Sequence, residues 1–459
     1  MLQRLVIWLV RIVTSTFFRR IEVVGIENVP ESGPVIFAGN HPNALMDGWL
    51  LTAKCGRWPL HFLANAKLWN YRVLVPILNA TGAVPVYRRE EHAGDVDNSK
   101  AFDRIFEVIE AGHCVGIFPE GISHVESQLI TLKTGTARIA LTVADRGKVV
   151  ADIVPCGLNY IHRHRFRSQV LIEFGAPIRI DRQWLEAYRE DGQATVVRLT
   201  AHIANALKAV TLNAPDWKTM RFIQTARRLY KPSTKELTPS QYVELNRRFV
   251  DAYLTDRHDP DVQALQNDVE DYQSRLDMLG LRDHQLRNPI TFGYALRKVA
   301  LRCLTMLALL PLAIPGALLH LPVGWAAATI GERFSYEMDD IATLKVFATI
   351  LLLPVMYTAI AIFVGMTFGT WWAIATIIGL TFSFFASVRL VEAEAGLLLS
   401  VIAVFRLARL GGEVEEIRIT RAELVRRIRD RVEQRIDPAM QRIFTPGDFR
   451  KSRDDDQID

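Results

Sequence analysis

The stretch PVIFAGNHPNALMDG, residues 34–48, decides how the first half of this 459-residue chain is read. Its opening, 35–38, is a short run of branched and aromatic side chains closed by Gly39 and Asn40, the pattern of a buried strand that ends in a polar turn. Such a strand would present His41 at a sheet edge, with Asp47 six positions further on. There a carboxylate can fix one imidazole tautomer and leave the other ring nitrogen free to take a proton. The same residues also suit a plain helix N-terminus capped by Asn40 or Asn43.

Outward from this point, residues 21–212 alternate short apolar runs with amphipathic stretches. Strands are expected at 35–38, 61–63, 83–87, 114–118, 153–159 and 170–174, with helical periodicity at 100–111 and 134–145. This alternation predicts an α/β fold over 20–213, a largely parallel sheet flanked by helices. Residues 214–296 are polar, carry the breaks KPST and LTPS and many charge pairs four apart, and read as a helical arm or linker.

After Arg302 the composition becomes apolar. Residues 346–366 and 371–388 are uncharged and long enough to cross hydrocarbon, so two transmembrane helices are expected. Pro311, Pro315 and Pro322 interrupt the preceding apolar piece, which with 323–330 is expected to form a re-entrant hairpin. Arg297, Lys298 and Arg302 precede this region and Arg389, Arg406 and Arg409 follow it. Basic flanks stay cytoplasmic, so both ends should share a side and the number of full crossings should be even. Residues 297–390 thus form a membrane segment and 391–459 a basic helical tail. At the other end, residues 1–19 put Arg4 and Arg11 on one helical face and Leu5, Trp8, Leu9, Ile12 and Val13 around the rest. That suits a helix lying in the membrane interface, a core helix being the alternative; Arg11 interrupts the run and argues against a signal peptide.

Hydrophobic residues make up 49% of the chain and the formal charge is +5, with no zinc-finger or single-strand-binding pattern, so nucleic acid is not an expected partner. Cys55, Cys114, Cys156 and Cys303 lack metal-ligand spacing and read as reduced, structural thiols; no metal site is expected. Three further segments could carry chemistry. TGAVPVYRR, 81–89, ends a strand in two arginines whose planar forks suit phosphate oxygens, or else form a solvated turn. GIFPEGISH, 116–124, could hold Glu120 against a polyol while Gly121 lets the backbone approach, or be an ordinary turn. LKTGTARIA, 132–140, opens a helix and could set Lys133 beside an anion, or leave it on the surface. IVPCGLNY, 153–160, reads as a core strand.

Taken in order, Asn40-His41 with Asp47, Gly82 to Arg88, Phe118 to Gly121 and Val154 to Gly157 resemble the four motifs of the glycerol-phosphate and lysophospholipid acyltransferase family over roughly residues 20–215. The resemblance implies His41 as general base, Asp47 as its partner, Arg88 as phosphate ligand and Glu120 with Gly121 in the acceptor site. Arg89 is only a neighbour of the matched position. Most of that family separates histidine and aspartate by four residues, whereas this chain has five, Pro42 to Met46. Together with the HRHRFR run at 162–167 and the membrane segment beyond, the wider gap looks like the fungal-type glycerol-3-phosphate and dihydroxyacetone-phosphate acyltransferases. Acyl-CoA or acyl carrier protein would then be the donor, a glycerol phosphate or lysophospholipid the acceptor, and membrane lipids the surroundings, with no cofactor and the catalytic domain on the cytoplasmic face. Acylation of 1-acylglycerol-3-phosphate and a non-catalytic lipid-binding protein are the alternatives. No serine lies in a Gly-x-Ser-x-Gly elbow, which disfavours a serine hydrolase.

Overall fold

The computed structural model describes residues 2–70, 75–87, 98–232, 235–286, 292–335, 338, 340–410, 412–435, 443–444 and 448. They form two units: Met1–Trp217 with Thr238–Val243 and Phe334–Val346, and Lys218–Leu237 with Glu244–Arg333 and Phe347–Asp459.

In the first unit α1 (Leu2–Phe17) runs directly into β1 (Phe18–Val24). There follow β2 (Val35–Gly39), α2 (Leu45–Lys54), β3 (Leu60–Asn65), α3 (Val75–Thr81), β4 (Val84–Val86), α4 (Ser99–Glu110) and β5 (Cys114–Ile117). The unit continues with α5 (Gly135–Asp145), β6 (Asp152–Tyr160), β7 (Ser168–Phe174), α6 (Arg182–Glu190) and α7 (Gly192–Val210). The strands form one sheet in the order β1-β7-β6-β2-β5-β3-β4, parallel throughout except between β6 and β7. All six expected strands are present. The seventh, β1, carries Arg19, Arg20 and Glu22 and pairs on one side only, so its edge position leaves it without the unbroken apolar run of the central strands.

Strand β2 lies mid-sheet and is buried along its whole length, which explains its unbroken apolar run. Its alternate side chains feed two cores. Ile36 and Ala38 pack with Ile105 and Ile109 of α4, Ile139 and Ala140 of α5 and Leu199 and Ile203 of α7. Val35 and Phe37 pack on the opposite face with Met46, Leu50 and Leu51 of α2. Each fully buried side chain of this size contributes about 1.5–3 kcal/mol, so the sheet's centre is its most firmly held part. Helix α1 buries Ile7, Val10, Thr14 and Phe17 and leaves Leu5, Trp8, Leu9 and Ile12 uncovered. One face therefore belongs to the core and a second apolar face does not.

The second unit is helical. Helices α8 (Trp217–Tyr230), whose first residue counts with the first unit, and α9 (Pro239–Asp256), whose opening turn does, flank the breaks expected at Pro232 and Pro239. Helix α10 (Pro260–Leu279) starts on the Asp259 carboxylate, which accepts from Asp261 N–H at 2.9 Å, and stops at Gly280 with φ +62°. Then come α11 (Asp283–Leu286), α12 (Phe292–Phe334), α13 (Ile341–Phe368), whose first residues count with the first unit, α14 (Thr370–Leu410) and α15 (Gly412–Arg435).

The expected re-entrant hairpin is corrected here: the backbone is helical without interruption from Phe292 to Phe334 through Pro311, Pro315 and Pro322. Spaced by four and seven, the three prolines fall on one stripe of the helix, so the hydrogen bonds they forfeit are lost from a single face. Among the described residues three helices, not two, are long and apolar enough to cross a membrane: Ala313–Phe334, Ile341–Phe368 and Thr370–Leu390. They interlock through polar groups. His320 donates from Nδ1 to the Gly316 carbonyl at 2.7 Å and faces Tyr357 Oη with Nε2 at 2.9 Å. Ser387 Oγ donates to the Ala313 carbonyl at 3.0 Å, and a Cβ on Gly316 would lie 2.4 Å from the Ser383 carbonyl oxygen, so only glycine permits that approach of α12 to α14. Outside these spans α10 and α15 are joined by Arg275–Glu416 at 2.8 Å, Arg427–Asp268 at 2.6 Å and Arg431 with Asp259, while Arg421 binds Asp283 of α11 at 2.9 Å.

Candidate active site

Parallel strands β2, β5 and β6 are neighbours, so their carboxyl ends open on the same edge of the sheet. The segments that leave them bring together the histidine, glutamate and tyrosine of three distant stretches. This is the edge at which open α/β sheets bind ligands. Asn40 ties the end of β2 to β6: its Oδ1 accepts from Leu158 N–H at 2.7 Å and its Nδ2 donates to the Leu158 carbonyl at 3.2 Å. Neither Asn40 nor Asn43 caps α2, whose capping position is Ala44 with no side-chain bond.

His41 Nδ1 meets Asp47 Oδ2 at 2.8 Å. The carboxylate can only accept, so Nδ1 carries the proton and Nε2 is the basic nitrogen. The five-residue gap closes through Ala44, which takes φ +44° and ψ −130°, a conformation that disfavours any residue with a Cβ. That turn lets Asp47 reach back from the first turn of α2. Asp47 is fully buried; its Oδ2 also accepts from Asn43 N–H at 2.8 Å and its Oδ1 from Tyr160 Oη at 2.5 Å. Burial pushes the Asp47 carboxyl above the ordinary carboxylate range, against the pull of His41, Tyr160 and the Asn43 N–H. Burial, and the Asp47 charge after it, push the Tyr160 hydroxyl far up, which keeps it a donor. The His41 side chain is 15% exposed and lies flat on Phe118, with ring centroids 4.0 Å apart and planes 4° apart. A glycine at 39 makes room for that ring, since a Cβ there would sit 3.1 Å from Phe118.

Glu120 is 1% exposed and its carboxylate points inward. Oε1 accepts from His41 N–H at 2.8 Å, and Oε2 accepts from Ile130 N–H at 3.2 Å and meets His124 Nε2. Gly121 has φ +78°, and the Lys133 side chain crosses it, 3.2 Å from where a Cβ would stand. Lys133 is exposed, just before the Thr134 cap of α5, with its N–H bound to the Pro119 carbonyl at 2.7 Å. Arg88 lies outside the described residues, as does Arg89. Among the described residues no three His, Cys, Asp or Glu side chains group closely enough to hold a metal ion.

The site thus assembles His41, Asp47 and Glu120 as neighbours and adds groups the sequence did not single out: Asn43 as a scaffold, Phe118, His124 and Tyr160. Tyr160 had a signal, as a polar residue at the carboxyl end of a buried strand. The arrangement ties one imidazole nitrogen to a buried carboxylate and leaves Nε2 without a hydrogen-bond partner among the described residues. That can deprotonate a hydroxyl.

Residues 20–159 match the family described as Acyltransferase, and residues 222–441 match the Glycerol-3-phosphate acyltransferase 2 C-terminal domain. Glycerol-3-phosphate O-acyltransferase 2 of Saccharomyces cerevisiae is 35% identical over 297 residues, 59% of this chain and 39% of that protein. Glycerol-3-phosphate O-acyltransferase 1 of the same yeast is 36% identical over 264 residues, 56% of this chain and 35% of that protein. An uncharacterized acyltransferase of Schizosaccharomyces pombe is 27% identical over 454 residues, 78% of this chain and 67% of that protein. The chain spans well under half the length of the two Saccharomyces relatives.

Proposed function

Since the chain belongs to the glycerol-phosphate and lysophospholipid acyltransferase family, we propose that it moves a fatty acyl group from acyl-CoA to a hydroxyl of glycerol 3-phosphate or dihydroxyacetone phosphate in phospholipid synthesis. The observation that carries this reading is the His41 ring, with Nδ1 held by Asp47 and Nε2 free to act.

In the proposed reaction His41 Nε2 takes the acceptor's hydroxyl proton as that oxygen attacks the thioester carbonyl. Asp47 stabilises the imidazolium, the tetrahedral adduct collapses, and CoA leaves as thiolate and receives the proton. No acyl-enzyme is needed, because the thioester is already activated; a positioned base supplies about 10²–10⁴ in rate and orientation adds to it. Arg88 binds the acceptor phosphate. Lys133, before the N-terminus of α5, adds positive charge beside it, and Gly121 lets the backbone come close. Glu120 belongs to the acceptor site by motif, and its inward-facing carboxylate favours a supporting role there.

The enzyme works in a membrane, with its catalytic unit on the cytoplasmic face and α1 in the interface. The three apolar helices and the uncovered Leu5, Trp8, Leu9 and Ile12 of α1 support this. Membranes containing the protein are to be given labelled acyl-CoA with glycerol 3-phosphate, dihydroxyacetone phosphate or lysophosphatidate. We expect transfer to one of the first two, lost in His41→Ala at unchanged expression. Transfer that survives His41→Ala removes the base, and preference for lysophosphatidate moves the function to the second acylation step.

A further inference from the structure

Glu120 is buried, and both its carboxylate and the backbone of His124 bear on the main chain of His41. The Glu120 carboxylate holds the His41 N–H at 2.8 Å. The N–H of His124 donates to the His41 carbonyl at 3.1 Å. His41 is thus gripped at both ends of its backbone by one short segment of chain. The His124 side chain completes the grip. Its Nδ1 accepts from Glu126 N–H at 3.1 Å, so its proton resides on Nε2, the nitrogen that faces Glu120. Arg163 secures the segment from the far side by donating to the carbonyls of His124 and Val125 at 3.3 and 3.4 Å.

A buried carboxylate with three donors has little capacity left for a substrate hydroxyl. It can fix a main chain well. We propose that His124 is a positioning residue of the acyl transfer: by fixing Glu120 it sets the backbone from which His41 reaches the acceptor. Resting on the acyltransferase reading above, this assigns Glu120 to the alignment of the base and leaves recognition of the acceptor to other groups.

The test separates turnover from acceptor binding. In membranes carrying the full chain, kcat and the acceptor KM are measured for Glu120→Gln, His124→Leu and His124→Gln. Glutamine at 124 can donate an N–H to Glu120 as the imidazole does; leucine cannot. At Glu120→Gln the new amide would confront the donors of His124 and Ile130. We expect Glu120→Gln and His124→Leu to lower kcat on the order of tenfold to a hundredfold with KM unchanged, and His124→Gln to restore most of it. A rise in acceptor KM at constant kcat overturns the proposal, and so does wild-type kcat in His124→Leu. Hydrogen exchange at the His41 amide gives a readout independent of turnover. It should quicken in Glu120→Gln and His124→Leu and return toward wild type in His124→Gln, which also serves if the leucine variant fails to accumulate. Unchanged exchange in Glu120→Gln overturns the clamp even if no acceptor is turned over. Inactivity of the unaltered protein toward every acceptor counts against the acyltransferase reading itself.

Discussion

In the proposed reaction the two ring nitrogens of His41 take opposite tasks, and Asp47 decides which is which. That decision has a thermodynamic sign. Burial raises the Asp47 carboxyl, so the folded protein keeps the proton to higher pH than the unfolded chain, where an aspartate titrates at about 3.9. Folding therefore carries the cost of a buried charge above the folded value and none below the unfolded one. Asp47→Asn should accordingly lower acyl transfer on the order of 10²–10⁴-fold without lowering thermal stability in detergent at pH 7. Any stability gain should shrink as pH falls toward the carboxylate range. A large drop in melting temperature at pH 7 would contradict this account of the pair. His41 and Asp47 were legible because a strand, a turn and a helix start are written locally. The duties of Glu120 and Tyr160 were not, since their partners lie 79 and 113 positions away, distances that only the sheet order closes.

Among the elements, the turn between β2 and α2 shows how an inserted residue is absorbed. Ala44 takes the unfavourable backbone angles, and Met46 stays in the core beneath α2 while Asp47 faces the ring. An alignment that insists on a four-residue gap would name Met46 as the partner of His41, a thioether at 0% exposure. Helix α1 buries one apolar face and leaves a second uncovered. Its arginine spacing marked one stripe, but only the packing of Val10, Thr14 and Phe17 shows where the core ends and the second apolar face begins. In vesicles containing brominated phospholipids, the fluorescence of the reconstituted protein should include a quenched component that disappears in Trp8→Phe. Identical quenching with and without Trp8 would place α1 away from the lipid. Helix α12 departs from the hairpin its prolines suggested, since the backbone stays helical through all three.

For the whole chain, the pairing of α10 with α15 bears on how the second unit meets the bilayer. Three successive apolar helices alone would leave the two flanks on opposite sides, yet the arginines of α15 are bound to acidic residues of α10 and α11. Joined flanks require an even number of passages, as the basic residues at both ends already suggested. We therefore expect that not all three apolar helices make full crossings. Cysteines placed at the exposed positions Met278 and Ile419 should react with an impermeant maleimide from the same face of sealed vesicles. Reaction from opposite faces would break the pairing. That pairing also orders events during synthesis: Arg275 finds Glu416 only 141 residues later, and Asp259 waits 172 residues for Arg431. The ladder can close only after every apolar helix has been made, so α15 acts as a late fastener, and a chain halted before it would leave Asp259 and Asp268 without their arginines.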